Sequence, residues 1–306
     1  MDRMFRFRTL LLREWMQHRT GWLVLMALPT LLVLGLGLFD GQGIQVGSAD
    51  AGDLSALPLV LQALFWTLAT VAVALVLVSL TVLAQLPGLA RRDQQDRSIE
   101  FWRSLPVSHA QGVGATLLMH LLLLPAAALA AGLVGSQLVV LVSVVLHHGP
   151  LVWLQLPWGQ LLPSLGLGAL RLMLGLLLAV LWLSPLLLLT MAASAWLKRW
   201  AVPVVSAVSL VGVYWLDARL PMPLVGPAFS RLGTEALYAL VAPDLFDGPR
   251  RVVQSELGPA VADLPMALLQ DAGRVLASAA SPAFLLAVVV GALGFWLLVL
   301  RRQRAD

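Results

Sequence analysis

LGLGALRLMLGLLLAVLWLSPLLLLTMAASAW, residues 165–196, carries one charged side chain, Arg171, in thirty-two positions. A bilayer core about 30 Å thick is crossed by about 20 apolar residues in a helix, so this run is long enough to span a membrane. It lacks the polar stripe that a helix on a soluble surface turns to water. Working outward, five more uncharged runs of the same character appear: Trp22 to Phe39, Leu57 to Leu86, Val113 to Leu146, Ala201 to Leu216 and Pro282 to Leu300. The run from Val113 is longer than one crossing needs, and tilt, a kink at Pro125 or extension beyond the membrane accommodates the excess. The fold class is therefore all-α integral membrane, with six transmembrane helices.

The composition agrees. Of 306 residues, 59% are hydrophobic and 12% charged, and the mean hydropathy is +0.88. Soluble domains hold about 45–50% apolar and about 25% charged residues, so one water-surrounded core cannot absorb this excess. There is no cysteine, which excludes disulfides, thiolate metal sites and cysteine nucleophiles. The net charge is only +4 despite a pI near 10.6, and most basic residues flank apolar runs. They read as topology signals and not as a nucleic-acid surface. Nineteen of the twenty are arginine, which fits a GC-rich bacterial genome; the expected location is a bacterial cytoplasmic (inner) membrane.

Short Lys/Arg-rich segments resist translocation. Arg3, Arg6, Arg8, Arg13 and Arg19 precede the first span, and Arg91, Arg92, Arg97 and Arg103 lie between the second and third. Lys198 and Arg199 lie between the fourth and fifth, and Arg301, Arg302 and Arg304 follow the sixth. That places fourteen of twenty basic residues on one side. The loop with Asp40, Asp50 and Asp53, and the loop from His147 to Ser164, have no Lys or Arg. Both termini are expected to be cytoplasmic, and the segment from Asp217 to Ser281 external. Ala49-Asp50-Ala51 resembles a signal-peptide cleavage site, but the preceding apolar run of 18 residues exceeds the usual h-region of about 7–15, so the first span is expected to stay.

Three stretches lie outside the spans, in a chain read as one transmembrane domain over residues 1–306. In residues 1–20, Met4, Phe7, Leu11 and Trp15 share a helical face opposite Arg6, Arg13 and Gln17, the pattern of a helix lying in the membrane interface. Residues 87–112 form a cytoplasmic connection in which Ile99, Phe101, Trp102 and Leu105 cluster amid charges running from Arg91 to Arg103. That pattern suits either docking on a partner or anchoring in the headgroup belt. Pro106 ends any helix, and Ser108 with Gln111 fits a capping box that starts the third span. In residues 217–281, Phe229, Leu232, Ala236, Leu237 and Leu240 repeat at helical spacing, as do Leu268, Leu269, Ala272, Val275 and Leu276. Two amphipathic outer helices are expected there.

Chemistry-bearing motifs are sparse. No G-x-x-x-x-G-K-[ST], H-E-x-x-H or G-x-S-x-G occurs, so nucleotide hydrolysis, zinc proteolysis and serine hydrolysis lack their usual signatures. His147-His148 lacks further metal ligands. His120 in the third span reads as a polar contact between helices, and Arg171 as a residue snorkelling to the outer surface. Thr67, Thr70, Ser79, Thr81 and Gln85, with Ser206, Ser209 and Tyr214, suit either a mildly polar path or bonds between helices. Gly132 with Gly135 and Gly291 with Gly294 permit close helix packing.

At DRSIEFWRSLPVS, Asp96 to Ser108, the sequence resembles permease subunits of type-2 ATP-binding-cassette (ABC) exporters, which carry a similar stretch between their second and third spans. The layout of an amphipathic N-terminal helix, six spans and a long outer segment before the last span is similar too. The resemblance implies that Arg97, Ser98, Ile99, Glu100, Phe101, Trp102, Arg103, Ser104, Leu105 and Pro106 form or flank a coupling helix that docks on a separate ATPase subunit. It also implies ATP and Mg on that partner, no cofactor on this chain, no enzymatic activity of its own, and a second permease subunit, identical or related. Where many relatives continue with an acidic residue and then a lysine, this chain has His109 and Thr116. The implied function is ATP-driven export of a lipophilic or amphipathic substrate. Two alternatives are a lipid-modifying membrane enzyme, using Asp217, Glu235, Asp244 or Asp271, and a membrane scaffold or sensor.

Overall fold

The computed structural model describes residues 3–39, 58–90, 108–241 and 257–304, and every regular element among them is helical. Helix α1 is Arg3–Phe39, and its one non-helical residue, His18 (φ −133°, ψ 19°), parts the arginine-rich N-terminal stretch from the apolar one. Helix α2 is Leu59–Leu89. Helix α3, His109–Leu118, opens on the expected capping box. Ser108 Oγ accepts from the Gln111 amide, and the Gln111 side chain accepts from the Ser108 amide, both at 3.3 Å.

A π turn, Met119–Leu123, carries α3 into α4, Leu124–His148. Pro125 explains the turn's place. Its ring would strike the carbonyl four residues earlier and it donates no hydrogen bond, and a wider turn just before it relieves both defects. Gly149, at φ +91°, ends α4 in a conformation that other residues rarely adopt. A short α5, Pro150–Leu154, leads to α6, Trp158–Leu197, whose 40 residues rise about 60 Å, twice the bilayer core. A tight turn, Lys198–Trp200, joins α6 to α7, Ala201–Val211, which continues as a π turn to Leu216. Helices α8 (Val225–Leu240), α9 (Leu257–Ser278) and α10 (Pro282–Gln303) follow.

Five of these helices are long and apolar enough to cross a membrane: α1, α2, the continuous α3–α4, α6 and α10. The chain is a multi-pass membrane protein. The sequence reads as six spans, but the fifth of them, Ala201–Leu216, covers 16 residues, about 24 Å of rise. It falls short of the length that makes the other five long enough to cross.

The chain divides into two compact units. In the unit made from residues 1–14, 82–122 and 170–306, Leu178, Ala179 and Trp182 of α6 pack with Ala236 and Ala239 of α8, Val275 of α9, and Phe284 and Ala287 of α10. Ser184 lies so close to Gly291 that any side chain there would displace it, and its Oγ donates to the Ala287 carbonyl at 3.4 Å. In the unit made from residues 15–81 and 123–169, Ala63, Val140, Val144, Leu156 and Leu161 form the core. There Gly132 lets α4 approach α2 until an added methyl would stand 3.1 Å from the Val71 Cα. The glycine pairs thus serve packing within the chain.

Candidate functional site

The segment singled out by its sequence, Arg97 to Pro106, lies outside the described residues, and so does Asp244. The elements that flank the segment are described. Within the first unit, Ser194 of α6 donates to the carbonyl of Pro87, near the end of α2, at 2.5 Å. On the other flank, Thr116 of α3 donates to Gly112 O at 3.2 Å and to Glu14 Oε1 of α1 at 3.3 Å. Gly112 is covered by Arg302 of α10, whose guanidinium would stand 2.9 Å from any added methyl. Arg301 donates to the Ala195 carbonyl at 3.4 Å, and the guanidinium groups of Arg301 and Arg304 lie 5.4 and 5.9 Å from the Trp196 ring. The arginine-bearing end of α1, the end of α2, the start of α3 and the ends of α6 and α10 therefore gather at one end of this unit.

Glu14 is the acidic residue at that gathering. It is 3% exposed and pairs with Arg13. Leu10 and Glu14 are the buried residues, Arg6 and Arg13 sit half-buried on the same side, and Met4, Phe5, Arg8, Leu12, Met16 and Arg19 are exposed. Phe7, Leu11 and Trp15, expected at the centre of the interfacial face, are half-buried at its edge. The polar side of the helix turns to protein because Glu14 and its arginines satisfy one another there, which leaves the apolar side outward. Its one signal in the sequence is that it is the acidic residue standing between Arg3 and Arg19.

Arg171 is not a snorkelling residue. It is 5% exposed, and its Nε donates to Asp271 Oδ2 of α9 and its Nη1 to the Ala239 carbonyl of α8, each at 2.6 Å. Nη2 has no acceptor among the described residues. Asp271, 7% exposed, also meets Arg274 at 3.7 Å. Asp217 has a different task. Its Oδ1 accepts from the amides of Leu224 (2.8 Å) and Val225 (2.9 Å), and its Oδ2 from Gly226 (2.6 Å), which caps the start of α8. The Gly226 amide, helped by the other two, holds the Asp217 carboxyl below its ordinary pKa. Asp217 and Asp271, two of the carboxylates weighed for a lipid enzyme, are thus engaged separately.

No family model, curated protein or solved structure matches this chain.

In the second unit, His148 Nε2 lies 3.1 Å from Gln62 Oε1, and His147 Nδ1 lies 2.8 Å from the Ser143 carbonyl. Each histidine is engaged by its own neighbour, and no cluster of three metal-ligating side chains occurs among the described residues. Thr67, Thr70 and Thr81 each donate to the carbonyl four residues back, so the proton of each hydroxyl is spent within its own helix. His120, 1% exposed in the π turn, sets its Nδ1 2.9 Å from the Thr116 carbonyl. It thereby stands one residue removed from Glu14, a carboxylate that no apolar span supplied. A shallow crevice lined by Val33, Trp66, Val139 and Leu146 with Ser143 is apolar.

Proposed function

We propose that this chain is the membrane-spanning permease subunit of an ABC exporter. It would form, with a second permease unit, a path for a lipophilic or amphipathic substrate, while a separate subunit binds and hydrolyses ATP. The observation that carries the reading is Asp96 to Ser108, a stretch of mixed charge and aromatic residues that ends on the capping serine of α3. Anything that pulls on such a segment pulls directly on α2 and α3. The surrounding contacts support a mechanical part, because Glu14, Thr116, Gly112 and Arg302 tie the first turns of α3 to α1 and α10. Force entering there reaches three helices.

The same contacts support cytoplasmic placement of this end, since they unite segments carrying the arginines that resist translocation. They also support a sixth crossing. Helix α6 ends at this gathering with Leu197, yet α8 meets α6 at Arg171, about 26 residues and about 39 Å of helix rise away. Between them lies α7, uncharged over Ala201–Leu216 and ending where Arg219 covers the Trp215 ring at 3.9 Å. A partner-driven permease explains why the chain carries no phosphate-cradling loop. The test is affinity capture of the tagged chain from its own membranes. Stoichiometric recovery of an ABC ATPase, with hydrolysis that the purified chain alone does not show, is the expected result. Hydrolysis by the isolated chain, or capture of no ATPase, overturns the proposal.

A further inference from the structure

We propose that Arg171 is a positioning residue that fastens α8 and α9 to α6, so that the outer segment travels with α6 as one body and not as a separate lid. The fastening stands on geometry within one unit; its part in transport rests on the permease reading. One guanidinium makes bonds to two different helices, to the Asp271 carboxylate of α9 and to the Ala239 carbonyl in the last turn of α8, each at 2.6 Å. All three residues are buried, with Ala239 2% exposed. The last carbonyls of a helix lack partners within it, and its C-terminus carries partial negative charge, so a cation is well placed there. A planar fork with fixed directions can serve both acceptors at once, which a lysine ammonium on its flexible stem does poorly.

The sequence around Arg171 is shaped for this contact. Gly175, one turn along α6, meets the same Ala239 carbonyl so closely that no side chain could occupy it. One turn further, Leu178, Ala179 and Trp182 continue the contact with Ala236, Val275 and Phe284, and the Trp182 and Phe284 rings meet edge to face at 5.2 Å. Four helices are therefore joined in sequence along α6: by ionic and carbonyl bonds at Arg171, by aromatic packing at Trp182, and by Ser184 on the Ala287 carbonyl. Within this unit α6 is continuous helix from Arg171 to Leu197, so what is bound at Arg171 follows the helix. A solvated arginine, free to swing, would not constrain the outer helices in this way.

The chain has no cysteine, so introduced pairs label cleanly. Spin labels at exposed Leu170 with Thr234 report α6 against α8, and Leu170 with Leu269 report α6 against α9, by pulsed electron resonance in nanodiscs. Both pairs should give narrow distance distributions in the otherwise natural chain. Arg171→Met should broaden both by about twofold, and Arg171→Lys should restore the α9 pair, which needs only charge, more fully than the α8 pair. If Asp271, left with only the exposed Arg274 at 3.7 Å, prevents folding, Arg171→Met with Asp271→Leu removes both buried charges together and is expected to fold. Its α8 pair should still broaden, because Ala239 has lost its donor. Unchanged widths in whichever of these variants folds overturn the proposal, as does a shift beyond about 3 Å in either pair when the complex with its ATPase is trapped by vanadate. Failure to recruit an ATPase would sink the permease reading alone, since the widths are measured on the chain by itself.

Discussion

Glu14 and Asp217 show how single carboxylates organise this chain, one buried and one at the surface. Breaking a buried ion pair by removing one partner costs about 3–5 kcal/mol, because a desolvated charge is left behind. Glu14→Ala should therefore lower thermal or denaturant stability by about that much, and Thr116→Val by only about 1 kcal/mol, since it removes one hydrogen bond. Non-additivity in the double variant, read from unfolding midpoints in detergent, would establish that the two residues act as a pair; full additivity would deny it. Asp217 works by capping. Its folded pKa is depressed, so the stabilisation it gives α8 is complete above the ordinary carboxylate value of about 3.9 and disappears as pH falls through the lower folded value. Asp217→Ala should speed hydrogen exchange at the Val225 and Gly226 amides severalfold at neutral pH. The natural chain should show the same acceleration only in acid, and exchange insensitive to both changes would deny the cap.

At the scale of elements, the disputed helix is α7. Its residues are mostly exposed, Val208 and Tyr214 among them at 65% and 75%, and its 16 residues are fewer than a relaxed crossing requires. A short hydrophobic helix can still cross where the bilayer thins or flanking residues snorkel, and Trp215 with Arg219 are suited to that boundary. If α7 crosses, reporters placed after Gly47 and within Asp244 to Arg250 both read external. If it does not, the second reads internal and the six-span reading fails. What the sequence displayed well at this scale was local in origin: apolar runs of span length, the capping box at Ser108, the break near residue 18, the start of α10 at Pro282. Each depends on residues within a few positions of one another. What it concealed was pairing across distance. Arg171 and Asp271 stand 100 positions apart, and nothing in the period of either helix says they meet. Glu14 and Thr116 are concealed for the same reason, and so is the inward turn of Arg6 and Arg13 on α1.

Across the whole molecule, the question is whether force from a partner enters at the segment between α2 and α3. Two readings of Phe101 and Trp102 compete, a docking anchor and a headgroup anchor, and they differ in what truncation removes. An aromatic side chain in a desolvated protein interface costs about 2 kcal/mol or more on truncation, roughly a thirtyfold loss of affinity, whereas a charge at the rim costs far less. Trp102→Ala and Phe101→Ala should each weaken assembly with the ATPase by about that factor, or leave assembly intact and abolish substrate-stimulated hydrolysis. Membrane insertion, set by the apolar runs and their flanking arginines, should be unchanged. Arg91→Ala, at the edge of the segment, should change little. A headgroup anchor predicts the opposite pattern, since the partner would not sense the loss of either ring. Titration of the ATPase onto each variant in nanodiscs, followed by hydrolysis with and without a lipophilic substrate, separates the two. Full binding and full stimulation in both aromatic variants would leave the cluster as a membrane anchor and move the search for the docking surface to the arginines of α1 and α10 around Glu14.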